Sequence, residues 1–356
     1  MRHNSFLTDF CGRRRFLSGT TALALSGLAR NTLADTTGSD DALVAAATKE
    51  GTVTLYSSMD LPVIEQLTKN FEAAYPGITV KTQIAGGERL FQRIAQEQAS
   101  NLAIADVVES TDPIHALVWK RDGWLLRELA PDVEKQWAAS ERDPDGHFAT
   151  FRLSVSPMGY NTKYLKAADA PKGFADLIDA KWTNRLVKSH PSYAGITMAA
   201  TFELSQLLGW DWFRNLAKLH VMQVQSATEP PRKIAAAERL VLVDCSEYVL
   251  LRLKAGGSPV EVVYPTEGTP TSQGNLVVMK GAPHPNAARL LRNYLFSREA
   301  QQTMTDLGLL RSVRQDINVH PSVRPLSDIK LLRADTAALE ANIGEIKKTY
   351  STIFGV

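Results

Sequence analysis

From residue 42 onward, short β-rich runs alternate with segments that carry apolar residues on one helical face. Residues 53–56 form the first β-rich run, and Val63, Ile64, Leu67 and Phe71 then recur at helical spacing. The same alternation predicts strands at 78–84, 105–108, 186–189 and 240–243 and helices at 90–99, 196–208 and 247–255. Strands and helices in this order predict an α/β fold in which helices cover mainly parallel sheets.

Two extended passages interrupt the alternation and divide the chain. Residues 151–161 contain Ser156-Pro157-Met158-Gly159, which excludes a helix there, and residues 275–279 form a second extended run. We expect both passages to run between two α/β lobes, as a hinge of two strands. The predicted division is 35–155 for the first lobe, 156–271 for the second lobe, and 272–356 for the return to the first lobe and the C-terminal helices.

Residues 1–34 have the three parts of an export signal. Arg13-Arg14-Arg15 precede Phe16 and Leu17, an apolar run covers 20–29, and small residues precede a predicted cleavage site near Ala34. The Arg-Arg-x-Phe-Leu order is typical of twin-arginine signals and predicts a periplasmic protein. The alternative interpretation is a basic amphipathic surface helix.

Loss of residues 1–34 would reverse the sign of the net charge. The whole chain has 40 basic and 38 acidic residues; the segment takes away five arginines and one aspartate, so +2 becomes −2. No basic cluster typical of nucleic-acid binding remains. Cys245 would be the one remaining cysteine, which excludes an intramolecular disulfide and favours a small buried side chain.

Small hydroxyl residues follow the predicted strands at three helix starts: Ser57-Ser58, Ser110-Thr111, and the run Ser192-Tyr193-Ala194-Gly195. Ligands of open α/β sheets bind beyond the carboxyl ends of the strands, where helix N-termini offer unpaired N–H groups to anions. The alternative is that these residues only cap their helices. Three such starts facing one cleft would favour binding.

The second lobe adds further candidate ligand-binding residues: Arg232, Glu247, Tyr248, Tyr264 and Glu267. Arg232 is a candidate counter-ion for an anion, or a solvated surface arginine. No Gly-x-Ser-x-Gly, P-loop or His-Glu-x-x-His motif occurs, and the seven histidines are scattered. The sequence therefore favours a binding protein without cofactor or metal over an enzyme.

The order of these segments resembles the extracellular solute-binding proteins of bacterial ABC importers. The runs that carry the resemblance are 53–58, 105–108, 159–162, 262–269 and 287–296, with Trp182. The resemblance implies two α/β lobes (the type II periplasmic-binding-protein fold) closing on a ligand, a monomer, and docking on an inner-membrane ABC permease.

Within that family the chain is similar to a branch that includes ferric-ion, phosphonate and sugar-phosphate binders. The ferric proteins use a histidine after the first strand, a glutamate after the third, and two consecutive tyrosines in the second lobe. Here those positions hold Met59, Thr111 with Glu109 nearby, and Glu247-Tyr248. We therefore expect a small anionic solute such as a phosphonate, phosphate ester or carboxylate. The alternative is iron held by Tyr248, Glu247 and Glu109.

Overall fold

The computed structural model describes residues 34–356, and the backbone alone for 34–40. The predicted signal peptide and twin-arginine motif lie outside the described residues. Residues 42–356 form one compact unit. Among the described residues, no helix is both long enough and apolar enough to span a bilayer.

The described residues contain strands and helices in the alternation that the sequence predicts. The strands are β1 (Thr52–Ser57), β2 (Thr79–Ile84), β3 (Val107–Ser110), β4 (Phe148–Val155), β5 (Met158–Asn161), β6 (Leu186–Ser189), β7 (Met222–Val224), β8 (Val241–Leu242), β9 (Val260–Val263), β10 (Thr269–Val278) and β11 (Leu331–Arg333). The helices are α1 (Ala34–Glu50), α2 (Leu61–Ala74), α3 (Gly87–Ala99), α4 (Pro113–Arg121), α5 (Pro131–Gln136), α6 (Gly195–Ala217), α7 (Glu229–Ala235), α8 (Glu247–Ala255), α9 (Pro285–Leu295), α10 (Arg298–Gly308) and α11 (Thr336–Phe354). Short 3-10 helices lie at Ala139–Glu141, Phe174–Ile178, Ala180–Trp182, Pro191–Tyr193 and Leu326–Asp328.

The first sheet has the order β11-β10-β3-β1-β2, and β4 pairs with β10 as well. β1 is parallel to β2 and β3, so the carboxyl ends of β1 and β3 meet at one edge. The predicted apolar face of α2 is buried through Val63, Ile64, Leu67 and Phe71. These side chains join the core beneath the first sheet, which confirms the helical spacing that the sequence shows.

The second sheet has the order β7-β6-β8-β5-β9. β6 is parallel to β7 and β8, and the carboxyl ends of β6 and β8 therefore share an edge. α6 follows β6 and α8 follows β8, so both helices start at that edge. The two sheets are the centres of the two lobes.

Two strand-to-strand connections link the lobes, and α11, which follows β11 of the first sheet, places Tyr350 in the core of the second lobe. Residues 156–157 join β4 to β5, and residues 264–268 join β9 to β10. β4 pairs with β10 and β5 with β9, both antiparallel, and the Ser156 N–H donates to the Pro270 carbonyl at 2.9 Å. The α/β class and a hinge of two strands are confirmed, but the second passage lies at 264–268 and not at the predicted 275–279, which belongs mostly to β10. The exact lobe boundaries stay a prediction.

The start of α6 packs against the first lobe as well as the second. A buried apolar cluster joins residues of α4, α6 and α11, among them Ile114, Met198, Phe202 and Leu339. This packing fixes the N-terminal end of α6 beside the N-terminal end of α4.

Candidate functional site

A buried glutamate joins the ends of β1 and β3. Glu109 Oε2 accepts hydrogen bonds from the Ser57 hydroxyl at 2.8 Å and from the Ser58 N–H at 2.9 Å. Its other oxygen accepts from Arg152 Nε at 2.9 Å, and both charged side chains are almost fully buried. Glu109 is therefore already occupied by protein partners and holds the sheet edge in shape.

Arg152 is a candidate that sequence reasoning missed. Its hydrogen bond to Glu109 uses Nε, and its two terminal guanidinium nitrogens make no hydrogen bond with any described residue. Burial and Asp60 raise the pKa of Tyr248, and the charge of Arg152 opposes part of that rise, so the guanidinium lies close to the start of α8. The sequence does contain a sign of this role, because Arg152 stands between Phe151 and Leu153 in an apolar β run. An arginine is rarely buried in such a strand unless it has a charged partner or a function.

The N-terminal ends of α4 and α6 meet face to face. A Cβ built on Gly195 would lie 2.7 Å from the Cα and Cβ of Asp112, a separation that real Cβ atoms do not reach. Asp112 caps α4 by accepting from the Ile114 N–H at 3.0 Å. α6 has Ala194 at its N-cap and no side-chain cap, so its first N–H groups are left without one.

The N-terminal ends of α2 and α8 meet in the same way. The Tyr248 hydroxyl donates to Asp60 Oδ1 at 2.9 Å, and Arg252 donates to Asp60 Oδ2 at 2.9 Å. Ser246 is the N-cap of α8, and its side chain does not cap the helix. Two pairs of helix starts therefore face each other between the lobes, each with a partial positive charge.

A second ion pair lies next to this contact. Arg311 donates to both oxygens of Glu247 at 2.6 and 2.8 Å, and the Tyr264 hydroxyl donates to Oε1 at 2.6 Å. Glu247 and Arg311 are almost fully buried. Arg311 is held on the first sheet because its carbonyl accepts from the Leu153 N–H.

Both tyrosines of this region are neutral phenols at ordinary pH. Burial, together with the nearby Asp60 carboxylate, raises the pKa of Tyr248 far above its usual value. Burial and Glu247 raise the pKa of Tyr264 in the same sense. Among the described residues, no group of three or more His, Cys, Asp or Glu side chains is placed to hold a metal ion.

The lobes are closed on each other at the start of α8. The cavity between Ser154, Ser246, Tyr248 and Arg311 has a volume of about 10 Å³. This is close to the smallest space that holds one water molecule. A larger solute fits at this point only after the lobes separate.

The comparison with protein families decides what kind of protein this is. Residues 105–335, well over half of the chain, match the model of a family described as bacterial extracellular solute-binding protein. The chain belongs to this family.

The relatives of this solute-binding protein include binders of different solutes. A putative 2-aminoethylphosphonate-binding periplasmic protein of Salmonella typhimurium is 24% identical over 273 residues, which are 74% of this chain and 76% of the relative. The periplasmic binding protein AfuA from Actinobacillus pleuropneumoniae, solved with fructose-6-phosphate, has a TM-score of 0.78 and 23% identity, covering 86% of this chain and 99% of AfuA. Iron-bound HitA from Pseudomonas aeruginosa has a TM-score of 0.73 and 20% identity, covering 85% and 99%. The structural likeness establishes the two-lobed periplasmic-binding-protein fold.

The first-lobe candidates of this solute-binding protein lie together at the edge of the first sheet. The hydroxyls of Ser57 and Ser58 both donate to Glu109, and the Thr111 N–H donates to the Ser58 hydroxyl at 3.3 Å. The Ser110 hydroxyl is buried against His115 Nδ1 at 2.8 Å. The Thr111 hydroxyl has no hydrogen-bond partner among the described residues, and Thr111 is partly exposed.

Met59 and several second-lobe candidates lie elsewhere or are only partly in the cleft. Met59 is 1% exposed in the core of the first lobe. Tyr193 and Arg232 are exposed, and the Arg232 side chain makes no hydrogen bond or ion pair within the described residues. Glu267 accepts a hydrogen bond from the Ala175 N–H at 2.8 Å, so its carboxylate is bound to the 3-10 helix at 174–178.

The remaining second-lobe candidates lie at the starts of α6 and α8. Ser192, Ala194 and Gly195 lead into α6, while Glu247 and Tyr248 open α8. The hydroxyls of Ser192 and Ser246 have no partner among the described residues. The arrangement supplies uncapped N–H groups, free hydroxyls and one buried guanidinium, which are groups that bind anions.

Proposed function

We propose that this protein captures a small anionic solute between its two lobes and delivers it to an ABC permease in the inner membrane. The observation that carries the proposal is the meeting of helix starts across the cleft, α4 with α6 and α2 with α8. α6 and α8 start without a side-chain cap, so an anion between the lobes would accept from their free N–H groups and meet the partial positive charge of these helix starts. Closure around the anion excludes water and strengthens each hydrogen bond.

Arg152 supplies the guanidinium of the proposed site, although its ion pair with Glu109 offsets part of its charge. Its Nε is fixed by Glu109, so the guanidinium loses little freedom when a solute binds. The remaining N–H groups suit the paired oxygens of a phosphonate, phosphate ester or carboxylate. The names of the phosphonate- and sugar-phosphate-binding relatives support the same solute class.

Ferric iron is the alternative, supported by the fold of iron-bound HitA. Iron would need the Tyr248 phenolate, whereas here the Tyr248 hydroxyl donates to Asp60 and its pKa is raised. Glu247 and Glu109 are both paired with arginines. These pairings favour an organic anion over the metal.

The proposed function requires that the protein is exported to the periplasm and that a membrane permease carries out the transport step. The twin-arginine pattern of residues 13–17 supports export to the periplasm, and the family resemblance favours a monomer. We propose no enzymatic activity, cofactor or nucleic-acid partner. Delivery to the permease, rather than chemistry, would be the outcome of binding.

Calorimetry on the exported, purified protein tests the proposal. The panel contains 2-aminoethylphosphonate, fructose-6-phosphate, a dicarboxylate, a neutral sugar and ferric citrate. We expect binding of at least one phosphorus- or carboxyl-containing anion, lost on Arg152→Met. Tight binding of the neutral sugar with no anion would refute the anion claim. A tyrosinate-to-iron absorption band on adding ferric citrate would favour the iron alternative.

A further inference from the structure

Asp60 is a helix N-cap residue whose carboxylate does not cap its helix. An N-cap aspartate ordinarily accepts from the N–H of the second or third helical residue. In α2 the second residue is Pro62, which has no N–H, and the Val63 N–H donates to the Asp60 carbonyl at 3.2 Å. The sequence thus leaves the Asp60 carboxylate free to bind elsewhere.

The free carboxylate is used across the cleft. Asp60 Oδ1 accepts from the Tyr248 hydroxyl and Oδ2 from Arg252, each at 2.9 Å. Asp60 belongs to the first lobe, and both partners lie on α8 of the second lobe, 188 and 192 residues later in the chain. Both carboxylate oxygens are therefore committed to the opposite lobe.

The exposure of these groups suits a contact that opens and closes. The side chains of Asp60 and Arg252 are 29% and 38% exposed, so water can replace the lost partners when the lobes part. The adjoining Glu247–Arg311 pair, at 4% exposure on each side, is far costlier to separate. Asp60 is thus the reversible half of the inter-lobe contact.

We propose that Asp60, Tyr248 and Arg252 form a latch that holds the lobes closed and sets how slowly a bound solute leaves. Asp60 acts as a positioning residue, through the lobes and not by touching the solute. The effect on solute release rests on the proposed function, while the effect on closure does not.

The first test needs no solute. Spin labels are attached to Arg89→Cys and Lys218→Cys, at exposed sites of the first and second lobes. Double electron–electron resonance spectroscopy then measures the distance between the two labels, and so between the lobes. In ligand-free protein that carries both labels and keeps Asp60, we expect a narrow distribution of label-to-label distances. Asp60→Ala should broaden it by adding a population at longer distances, since the Glu247–Arg311 pair then holds α8 to the first lobe without the latch, with Asp60→Asn in between because its amide oxygen still accepts from Tyr248.

The matched control is Glu238→Ala, which removes a similarly exposed ion pair with Lys233 inside the second lobe. It should leave the distance distribution unchanged. An identical distribution for the wild type and Asp60→Ala, with both proteins folded by circular dichroism, would overturn the latch.

The second test uses whichever panel anion binds, with stopped-flow kinetics. Asp60→Ala should raise the dissociation rate about 10- to 100-fold, the range expected for losing a hydrogen bond to a charged group, and change the association rate little. An unchanged dissociation rate would contradict the latch. If no anion binds but Asp60→Ala still opens the lobes, the latch stands and the proposed function fails.

Discussion

Glu203 of α6 is a buried carboxyl without a compensating charge. It is 7% exposed, and neither carboxylate oxygen makes a hydrogen bond of normal geometry within the described residues. Burial raises the pKa of Glu203 from 4.5 to about 8, partly opposed by the backbone near Ala334 and Thr271. Thr271 lies on β10 close to the second connection between the lobes, so this carboxyl adjoins the hinge.

The raised pKa predicts how stability varies with pH. A carboxyl that holds its proton more tightly when folded stabilises the protein fully below its unfolded pKa of 4.5, and this stabilisation is lost as the pH rises to 8. With about 1.4 kcal/mol per pH unit, the loss between pH 5 and pH 8 is about 3 kcal/mol. Glu203→Gln cannot ionise and escapes this loss.

Urea unfolding of the wild type and Glu203→Gln at pH 5 and pH 8 measures the effect. The free energy of unfolding of the variant, relative to the wild type, should increase by about 3 kcal/mol between the two pH values. Glu345→Gln, at an exposed carboxylate of α11, is the control and should show no such trend. A difference between the wild type and Glu203→Gln that is the same at both pH values would refute the reasoning.

Three further predictions concern the cleft and the second lobe. Gly195→Ala should weaken solute binding about tenfold or more by forcing α6 away from Asp112, a cost of about 1 to 3 kcal/mol, whereas Gly344→Ala in open space on α11 should leave calorimetric affinity unchanged. Asp244→Asn leaves its lysine partner charged and buried, so urea unfolding should show a loss of about 3 to 5 kcal/mol; a loss below 1 kcal/mol would contradict this. Burial and nearby carboxylates raise the pKa of the Cys245 thiol, which should resist a thiol reagent in the native protein and react in urea; rapid native labelling would show that the thiol is accessible.

The local features of the fold follow from the sequence because they depend on neighbouring residues. The spacing of Val63, Ile64, Leu67 and Phe71 predicts both α2 and its buried face, as found. The adjacency of Ser57 and Thr111 follows from parallel strands whose carboxyl ends meet at one edge. The spacing of apolar residues along the chain is enough to predict such local features.

The second connection was harder to place. The apolar run at 275–279 was expected to be the extended passage between lobes, but the connection lies at 264–268 and the run belongs mostly to the end of β10. β10 is ten residues long and starts at Thr269, between Gly268 and Pro270. Turn residues so close to the strand start obscure where the strand begins.

The contacts across the cleft could not be predicted, since they join residues far apart in the chain. Tyr248 and Arg252 meet Asp60, and Arg311 meets Glu247, only because the two lobes close in one particular way. Opposite charges on distant segments have many possible partners in a sequence. The pairing of Arg152 with Glu109 could not be predicted for the same reason, since the two residues lie 43 positions apart in the chain.

A crystal structure of the protein with its retained or added anion tests the central claim most directly. The account predicts that the anionic group lies within hydrogen-bond distance of the Arg152 guanidinium and of N–H groups at the starts of α6 and α8. A tightly held solute without negative charge, or an anion bound away from these helix starts, would contradict it.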